Sequence, residues 1–314
     1  MLTIGIDVGG TKVLGVALDP DAPAHVLAEA RVPTPGGGDG LVETLLALIA
    51  ALTTGLRPPD AIGVGVPGLV DQSGRLHMGP HLRRVQDLPL AALLAERSGV
   101  RSLVDNDANC HALAEHAAGA IVGVDEALVV TFGTGIGAGI ITAGRLLRGA
   151  NGFAGEPGHM IVDLDGPPCP CGKRGCWEQL ASGAALGRFA QEAAAAGRLG
   201  AVLAGAGGDP AVIRGEDVTR AARSGDAEAG DVLLQWSGWL ALGLANLVNI
   251  LDPAVVVLGG GLVDDADLYL PAVRARYDGL VMAGDQRPRL PIVAAALGGS
   301  AGAIGAAVLA AGGT

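Results

Sequence analysis

Aromatic side chains are scarce in this chain of 314 residues; Trp, Tyr and Phe together make up 3% of it. A core built on packed rings is therefore excluded, and Ala, Val, Leu and Ile must supply the apolar volume. Half of the residues are hydrophobic, enough for a substantial core in two domains. Basic residues are also few, 21 against 32 acidic ones, for a formal net charge of −11. That balance excludes a nucleic-acid-binding surface, which needs a basic patch. It leaves a phosphorylated ligand open, because backbone N–H groups and a metal ion hold phosphates without Lys or Arg. The opening MLTIGIDVGG has no basic leader, and Asp7 stands where an apolar signal segment would run, so no secretory signal is expected.

Residues 292–311 form a run of 20 residues without a charge, the length of a membrane span. Its Ala and Gly are too weakly apolar to drive insertion, and no basic flank or aromatic anchor marks an interface. It reads as a buried strand, a glycine turn and a buried helix. A cytoplasmic protein with no membrane partner is expected. Sulfur is sparse as well. Of four cysteines, three fall between 169 and 176, which in that compartment points to a metal site rather than a disulfide framework.

What is abundant is glycine, 52 residues in strings between apolar runs. LTIGIDVGGTKVLGVALD reads as strand, glycine turn, strand. GLVETLLALIAAL places Leu41, Leu45, Leu48, Ile49 and Leu52 at helical spacing. AIGVGVPGLVD is a strand entering a Pro-Gly turn, and LAALLAERSG is a helix closed by Gly99. VRSLVDNDANCHALAEHAAG is a strand, a polar corner and a helix. EALVVTFGTGIGAGIITAG repeats the opening hairpin, Gly133-Thr134-Gly135 against Gly9-Gly10-Thr11, which points to an internal duplication. DVLLQWSGWLALGLANLVNIL is a long helix ended by Pro253, and AVVVLGGGLV is a strand feeding a glycine string. Strands alternating with helices define an α/β class. The expected division is an N-terminal domain over 1–110 and a larger one over 111–299, with a C-terminal helix over 300–314 packing back on the first.

Three glycine strings suit phosphate handling. In DVGGTK, Gly9 and Gly10 let backbone N–H groups approach a phosphate, Thr11 adds a hydroxyl donor, and Lys12 closes the loop. Asp7 can hold Mg²⁺ or one of its waters. The same residues also suit an ordinary glycine hairpin. No G-x-x-x-x-G-K-[ST] spacing is present. GTGIGAG fails the dinucleotide fingerprint because IITAG continues as strand rather than helix; taken singly it reads as close packing. Gly259, Gly260 and Gly261 end a buried strand, and singly they read as a tight turn. All three strings in this order strengthen one another.

VDNDAN lies between a strand and a helix, where α/β proteins bind ligands. Asp107 is placed as N-cap or first-turn residue and is either a capping group or a general base for an attacking hydroxyl, with Asn106 bonding the same substrate; Asp105 does neither if it faces the other side. His159, Cys169, Cys171 and Cys176 have the Cys₃His composition of a structural Zn²⁺ site, although C-x-C-x₄-C departs from the common C-x₂-C spacing. Zinc there would fix Glu178 and hold one ring nitrogen of His159, leaving the other for substrate. Glu156 and Glu178 are then carboxylate acceptors for adjacent sugar hydroxyls, or else surface charges. Cys110 reads as a small buried residue, His111 and His116 as solvated helix residues, and His25, His77 and His81 as belonging to no constellation.

With these residues assembled, the chain resembles the ROK family of sugar kinases and repressors in the actin-like ATPase superfamily. DVGGTK, VPGLVD, NDAN, TFGTGIG, GEPGHM, CPCGKRGCWEQLASG and VVLGGGLV occur in the family's order across nearly all of the chain. The resemblance implies two actin-like (ribonuclease H-like) domains with a cleft between them, ATP and Mg²⁺, a structural Zn²⁺, and a homodimer or homotetramer. It implies Asp107 as the base for a sugar 6-hydroxyl, and Asn106, Glu156, His159, Glu178 and the backbone at Gly68 as sugar ligands. GCWEQLASG is similar to the family's ATP-dependent glucokinases, so glucose is the first expectation. Another hexose or an N-acetylhexosamine is the alternative. Family repressors carry a helix-turn-helix ahead of the first phosphate loop; with Asp7 as the seventh residue, none is expected here. A non-catalytic sugar sensor and an iron–sulfur ATPase are the rival classes.

Overall fold

The computed structural model describes residues 1–79 and 85–312. His81 and the last two residues of the expected C-terminal helix lie outside the described residues. The first half contributes β1 (Thr3–Val8), β2 (Lys12–Leu18), β3 (Val26–Pro33), α1 (Gly38–Leu52), β4 (Ala61–Val66), β5 (Leu69–Val70), β6 (Leu76–Met78), β7 (Gln86–Leu88), α2 (Leu90–Ser98), β8 (Ser102–Asn106) and α3 (Asp107–Ala118). The second contributes β9 (Ala127–Phe132), β10 (Ile136–Thr142), β11 (Arg145–Leu146), α4 (Glu178–Ala181), α5 (Gly183–Ala195), α6 (Gly200–Gly205), α7 (Gly215–Arg223), α8 (Ala227–Leu251), β12 (Val255–Gly259), α9 (Ala266–Tyr277), β13 (Ile292–Ala294) and α10 (Ala301–Ala310).

Among the described residues the strands form two five-stranded sheets, β3-β2-β1-β4-β8 and β11-β10-β9-β12-β13, and a small sheet β5-β6-β7. Both large sheets start from an antiparallel hairpin and continue with two parallel strands. The echo between the two Gly-Thr hairpins thus extends to the whole strand order.

Helix boundaries follow local chemistry. On α1 the buried face is Leu41, Val42, Leu45, Leu48, Ile49 and Leu52, a helical stripe. Gly99 ends α2 in the left-handed conformation, φ 70°, as expected for a glycine after a helix. Helix α8 begins before its apolar pattern does, because Asp226 Oδ1 accepts from the N–H of Ala229 at 3.0 Å and caps it. It ends at Leu251, with Asp252 left-handed ahead of Pro253.

The charge-free run resolves into β13, a short turn and α10, and α10 is buried along its length. It packs on β1, β4 and α3 of the first half at backbone contact. A Cβ on Gly63 would sit 1.7 Å from the Ala306 carbonyl, and one on Gly305 would sit 1.6 Å from that of Cys110. Glu115, fully buried, accepts backbone N–H bonds from Ala120, Ala296 and Leu297 at 2.7–3.0 Å, joining the end of α3 to the approach of α10. No helix among the described residues is long and apolar enough to cross a membrane.

The aliphatic core expected from composition is found in the first half, which has no aromatic residue. The second half departs from it. All the rings lie between 132 and 277, and Phe132, Trp177, Trp236 and Tyr269 are buried at the centre of its core. The Trp236 and Tyr269 rings meet edge-on at 5.0 Å, a favoured geometry for buried rings.

Candidate active site

Asp7 is the penultimate residue of β1, and the turn after that strand is closed by the Gly9 N–H donating to the Lys12 carbonyl at 2.9 Å. Gly10, Thr11 and Lys12 are exposed at the tip, so their donors face outward. Gly302 of α10 lies directly against the Asp7 carboxyl; a Cβ there would be 2.6 Å from Asp7 Cγ. Burial raises the Asp7 carboxyl to about 6, with His111 and Lys12 opposing the rise and Asp107 adding to it. His111 is therefore not simply solvated. It is half-buried on α3, one turn after Asp107, whose carbonyl oxygen is 3.0 Å from its Nδ1, and it lies within electrostatic reach of Asp7.

Strand β8 delivers the polar corner. Asn106 caps α3, its Oδ1 accepting from the N–H groups of Ala108 at 2.8 Å and Asn109 at 3.3 Å. Asp107 is the first helical residue rather than the cap, half-buried, with Oδ1 accepting from the Ala108 N–H at 3.0 Å. Asn106 Nδ2 donates to the Gly68 carbonyl at 3.2 Å. Gly68, at φ 123°, sits so close to Met78 that a Cβ would lie 1.9 Å from its carbonyl oxygen.

Glu156 precedes the short turn Pro157–His159. Burial, then the charges of Asp107 and Glu178, raise its carboxyl to about 7. The Asp107 carboxylate thus lies within electrostatic reach of both Asp7 and Glu156. Glu178 opens α4, and its Oε2 accepts from the Ile136 N–H at 3.0 Å. Trp177 anchors it from behind: it is fully buried and its Nε1 donates to the Trp239 carbonyl at 2.8 Å.

The glycine loops after β9 and β12 emerge side by side, since Thr131 and Gly259 are parallel partners. Gly183 N–H donates to the Gly133 carbonyl at 2.9 Å, and Gly260 is left-handed at φ 87°. Within GTGIGAG the glycines divide in use. Gly137 and Gly139 pack against Ala108 and Ala112 of α3, while Gly135 adjoins Glu178.

His159, Cys169, Cys171 and Cys176 converge, with one donor atom from each lying within 4.8 Å of the others. Cys169 Sγ is 3.7 Å from His159 Nδ1, and Cys171 Sγ is 3.6 Å from Cys176 Sγ. A tetrahedral zinc places its ligand atoms roughly 3.5–3.8 Å apart, so the residues fit that ion. The glycines at 172 and 175, φ 87° and 65°, make the turns that bring the sulfurs together. With Nδ1 turned to the cysteines, the exposed His159 ring keeps Nε2 for another partner.

One sequence expectation is corrected besides His111. His77 does have a constellation, since its Nε2 is 2.8 Å from Asp71 Oδ2, its Nδ1 is 3.0 Å from Asp87 Oδ1, and its ring meets Phe153 edge-on at 5.6 Å. Asp105, which the sequence leaves without a substrate role if it faces the other side, is buried against Arg148 and Asn109. Arg148, Asn109 and Gly302 went unrecognised in the sequence, and the Arg148 partner of Asp105 did as well. His111 and Asn109 carried a local signal, their i+4 spacing from Asp107 and Asp105. Cys110 is fully buried, as read.

The sequence pattern that defines the ROK family matches residues 3–312. The chain belongs to the ROK family. A glucokinase of Streptomyces coelicolor is 38% identical over 98% of this chain and 97% of its own length. The solved ROK glucokinase of Streptomyces griseus, in complex with glucose and AMPPNP, is 38% identical and covers 100% of both chains at a TM-score of 0.88. The ROK hexokinase of Thermus thermophilus is 36% identical, with 99% and 98% coverage and a TM-score of 0.80. The architecture is accordingly the actin-like one of ROK sugar kinases.

Proposed function

We propose that this ROK protein is an ATP-dependent hexose kinase that phosphorylates the 6-hydroxyl of glucose. The observation that carries the reading is the placement of Asp107. It opens a helix at a strand end, electrostatically linked to Asp7 beside the first glycine loop and to Glu156 beside the Cys-His knot. A hexose held there has its 6-hydroxyl against Asp107 and its ring hydroxyls against carboxylate acceptors. The solved Streptomyces griseus relative, with glucose and AMPPNP bound, supports the same pairing of ligands.

The Asp107 carboxylate removes the 6-hydroxyl proton as that oxygen attacks the γ-phosphorus in line; the bond to the β–γ bridging oxygen breaks and ADP leaves. Glu156, Glu178, His159 Nε2, Asn106 and the Gly68 backbone orient the sugar. Gly9, Gly10, Thr11, Lys12, Gly133, Thr134, Gly135 and the 259–261 string bind the phosphates and nucleoside. Mg²⁺, when bound near Asp7, supplies charge neutralisation on the phosphate oxygens. Zinc on the Cys₃His set is structural, bracing His159 and Glu178. A homodimer or homotetramer in the cytoplasm completes the proposal.

The test is a panel of hexoses and N-acetylhexosamines with ATP and Mg²⁺, reading ADP and sugar phosphate. Glucose should yield glucose 6-phosphate with the highest kcat/KM. Preference for another sugar would move the substrate, and no ADP with any sugar would remove the kinase reading.

A further inference from the structure

Asp105 takes no part in the chemistry above, yet it is among the few buried charged residues, 5% exposed. Its carboxylate accepts three hydrogen bonds of 2.7 Å each, from the Asn106 N–H and Asn109 Nδ2 at Oδ1 and from Arg148 Nε at Oδ2. The first two belong to the corner that carries Asp107. The third comes from the other half of the molecule.

Arg148 follows β11 in a loop that leaves the second sheet and crosses to the first half. There Gln72 Nε2 donates to the carbonyls of Gly149 at 3.1 Å and Ala150 at 3.2 Å, and Gly152 lies against Val70 and Asp71. The loop returns to β10 where the Ala138 N–H donates to the Gly155 carbonyl at 3.3 Å, one residue before Glu156. The Gln72 contacts are exposed; the Arg148–Asp105 pair is the buried anchor, with side chains 27% and 7% exposed. A carboxylate only accepts, so Asn109 must offer it Nδ2. That turns Asn109 Oδ1 the other way, buried without a partner, toward Gly155.

We propose that Asp105 is a positioning residue for hexose binding. Fixed to the Asn106–Asp107 corner by the Asn106 N–H and Asn109, it holds through Arg148 the loop that delivers Glu156 at a set distance from that corner. This rests on the kinase reading and deepens it. The loop carries sugar ligands but no nucleotide ligand, and Asp107 keeps its own helix. Loosening the anchor therefore separates hexose affinity from the rest.

The variants are Asp105→Asn, Arg148→Gln, Arg148→Lys and the double Asp105→Asn/Arg148→Gln. Both charge-removing singles should raise the hexose KM about tenfold, a small displacement of the binding groups. The ATP KM should stay within about twofold and kcat at saturating sugar within about threefold, because the nucleotide loops are untouched and the Asn106 side chain still caps the helix that carries Asp107. The double variant should be no worse than the worse single, since both remove one interaction. Arg148→Lys, keeping the cation, should fall between Arg148→Gln and the native protein. If Asp105→Asn does not fold, Arg148→Gln carries the test from the less buried side. A glucose-active wild type whose singles keep the hexose KM, or shift all three parameters together, overturns this inference alone. A wild type that neither binds nor phosphorylates any hexose overturns the kinase reading and this inference with it.

Discussion

The Glu178 carboxylate and the Ile136 N–H, 3.0 Å apart, join the knot of cysteines to the glycine loop after β9. In the proposed kinase one residue thereby serves both ligands. A Cβ on Gly135 would come within 2.3 Å of Glu178 Oε2, so the two segments touch without room between them. Replacing Glu178 with Ala removes an acceptor for the sugar and leaves the Ile136 N–H unpaired. A hydrogen bond to a charged group is worth about 1.5–3 kcal/mol, so the hexose KM should rise about 10- to 100-fold, with a smaller rise in the ATP KM. Initial rates with each substrate varied measure both; an unchanged hexose KM would contradict the role.

The Cys₃His knot predicts metal. Purified protein should contain one zinc per chain by elemental analysis. Cys171→Ser should lower zinc content and hexose affinity together, each by about 10- to 100-fold, because the brace on His159 and Glu178 loosens. Fully active protein free of zinc would contradict this account, and a coloured iron-containing protein would favour a cluster instead.

Glu156 predicts a pH dependence. Burial beside Asp107 and Glu178 raises its carboxyl from 4.5 to about 7. The folded, unliganded protein thus holds a proton that the unfolded chain has released. Stability from this group is present below pH 4.5 and lost as the pH rises toward 7. Sugar hydroxyls donate to the ionised form. Glucose should therefore bind more tightly as pH rises through about 7, and Glu156→Gln should flatten that profile. The change in tryptophan fluorescence on glucose addition reads it, because Trp177 adjoins Glu178. A profile as steep in the variant as in the native protein would exclude Glu156.

Gly302 is predicted to matter through Asp7. An added Cβ falls 2.6 Å from Asp7 Cγ, and α10 cannot retreat because its backbone already rests on β4 and α3. Gly302→Ala should either displace Asp7, raising the ATP–Mg²⁺ KM at least tenfold, or cost about 1–3 kcal/mol of stability by overpacking. Unchanged melting together with unchanged nucleotide kinetics would contradict the contact.

Much of the site was legible because its residues sit in short strings whose function is local. DVGGTK, NDAN and the cysteine loop each place their donors within a few residues, and a turn of glycine or the first residue of a helix fixes their direction. The paired hairpins were visible for the same reason. The contacts that needed the fold span long stretches of chain. Asp105 and Arg148 are 43 residues apart, and nothing in either segment marks the pairing. Gly302 looks like one more small residue in an apolar helix until Asp7 is seen beneath it. His77 appeared isolated because Asp87 and Phe153 reach it from other segments. The ring-filled core of the second half was likewise hidden in a composition averaged over both halves.

The central claim is that Asp107 takes the proton from the sugar hydroxyl. Asp107→Asn keeps the size and the helix start but removes the base. Glucose binding, followed by tryptophan fluorescence, and kcat, followed by ADP release, should be measured on the same preparation. The account predicts glucose affinity within a few-fold of native and kcat lower by at least ~10²-fold. Turnover close to native in the glucose-bound variant would contradict it.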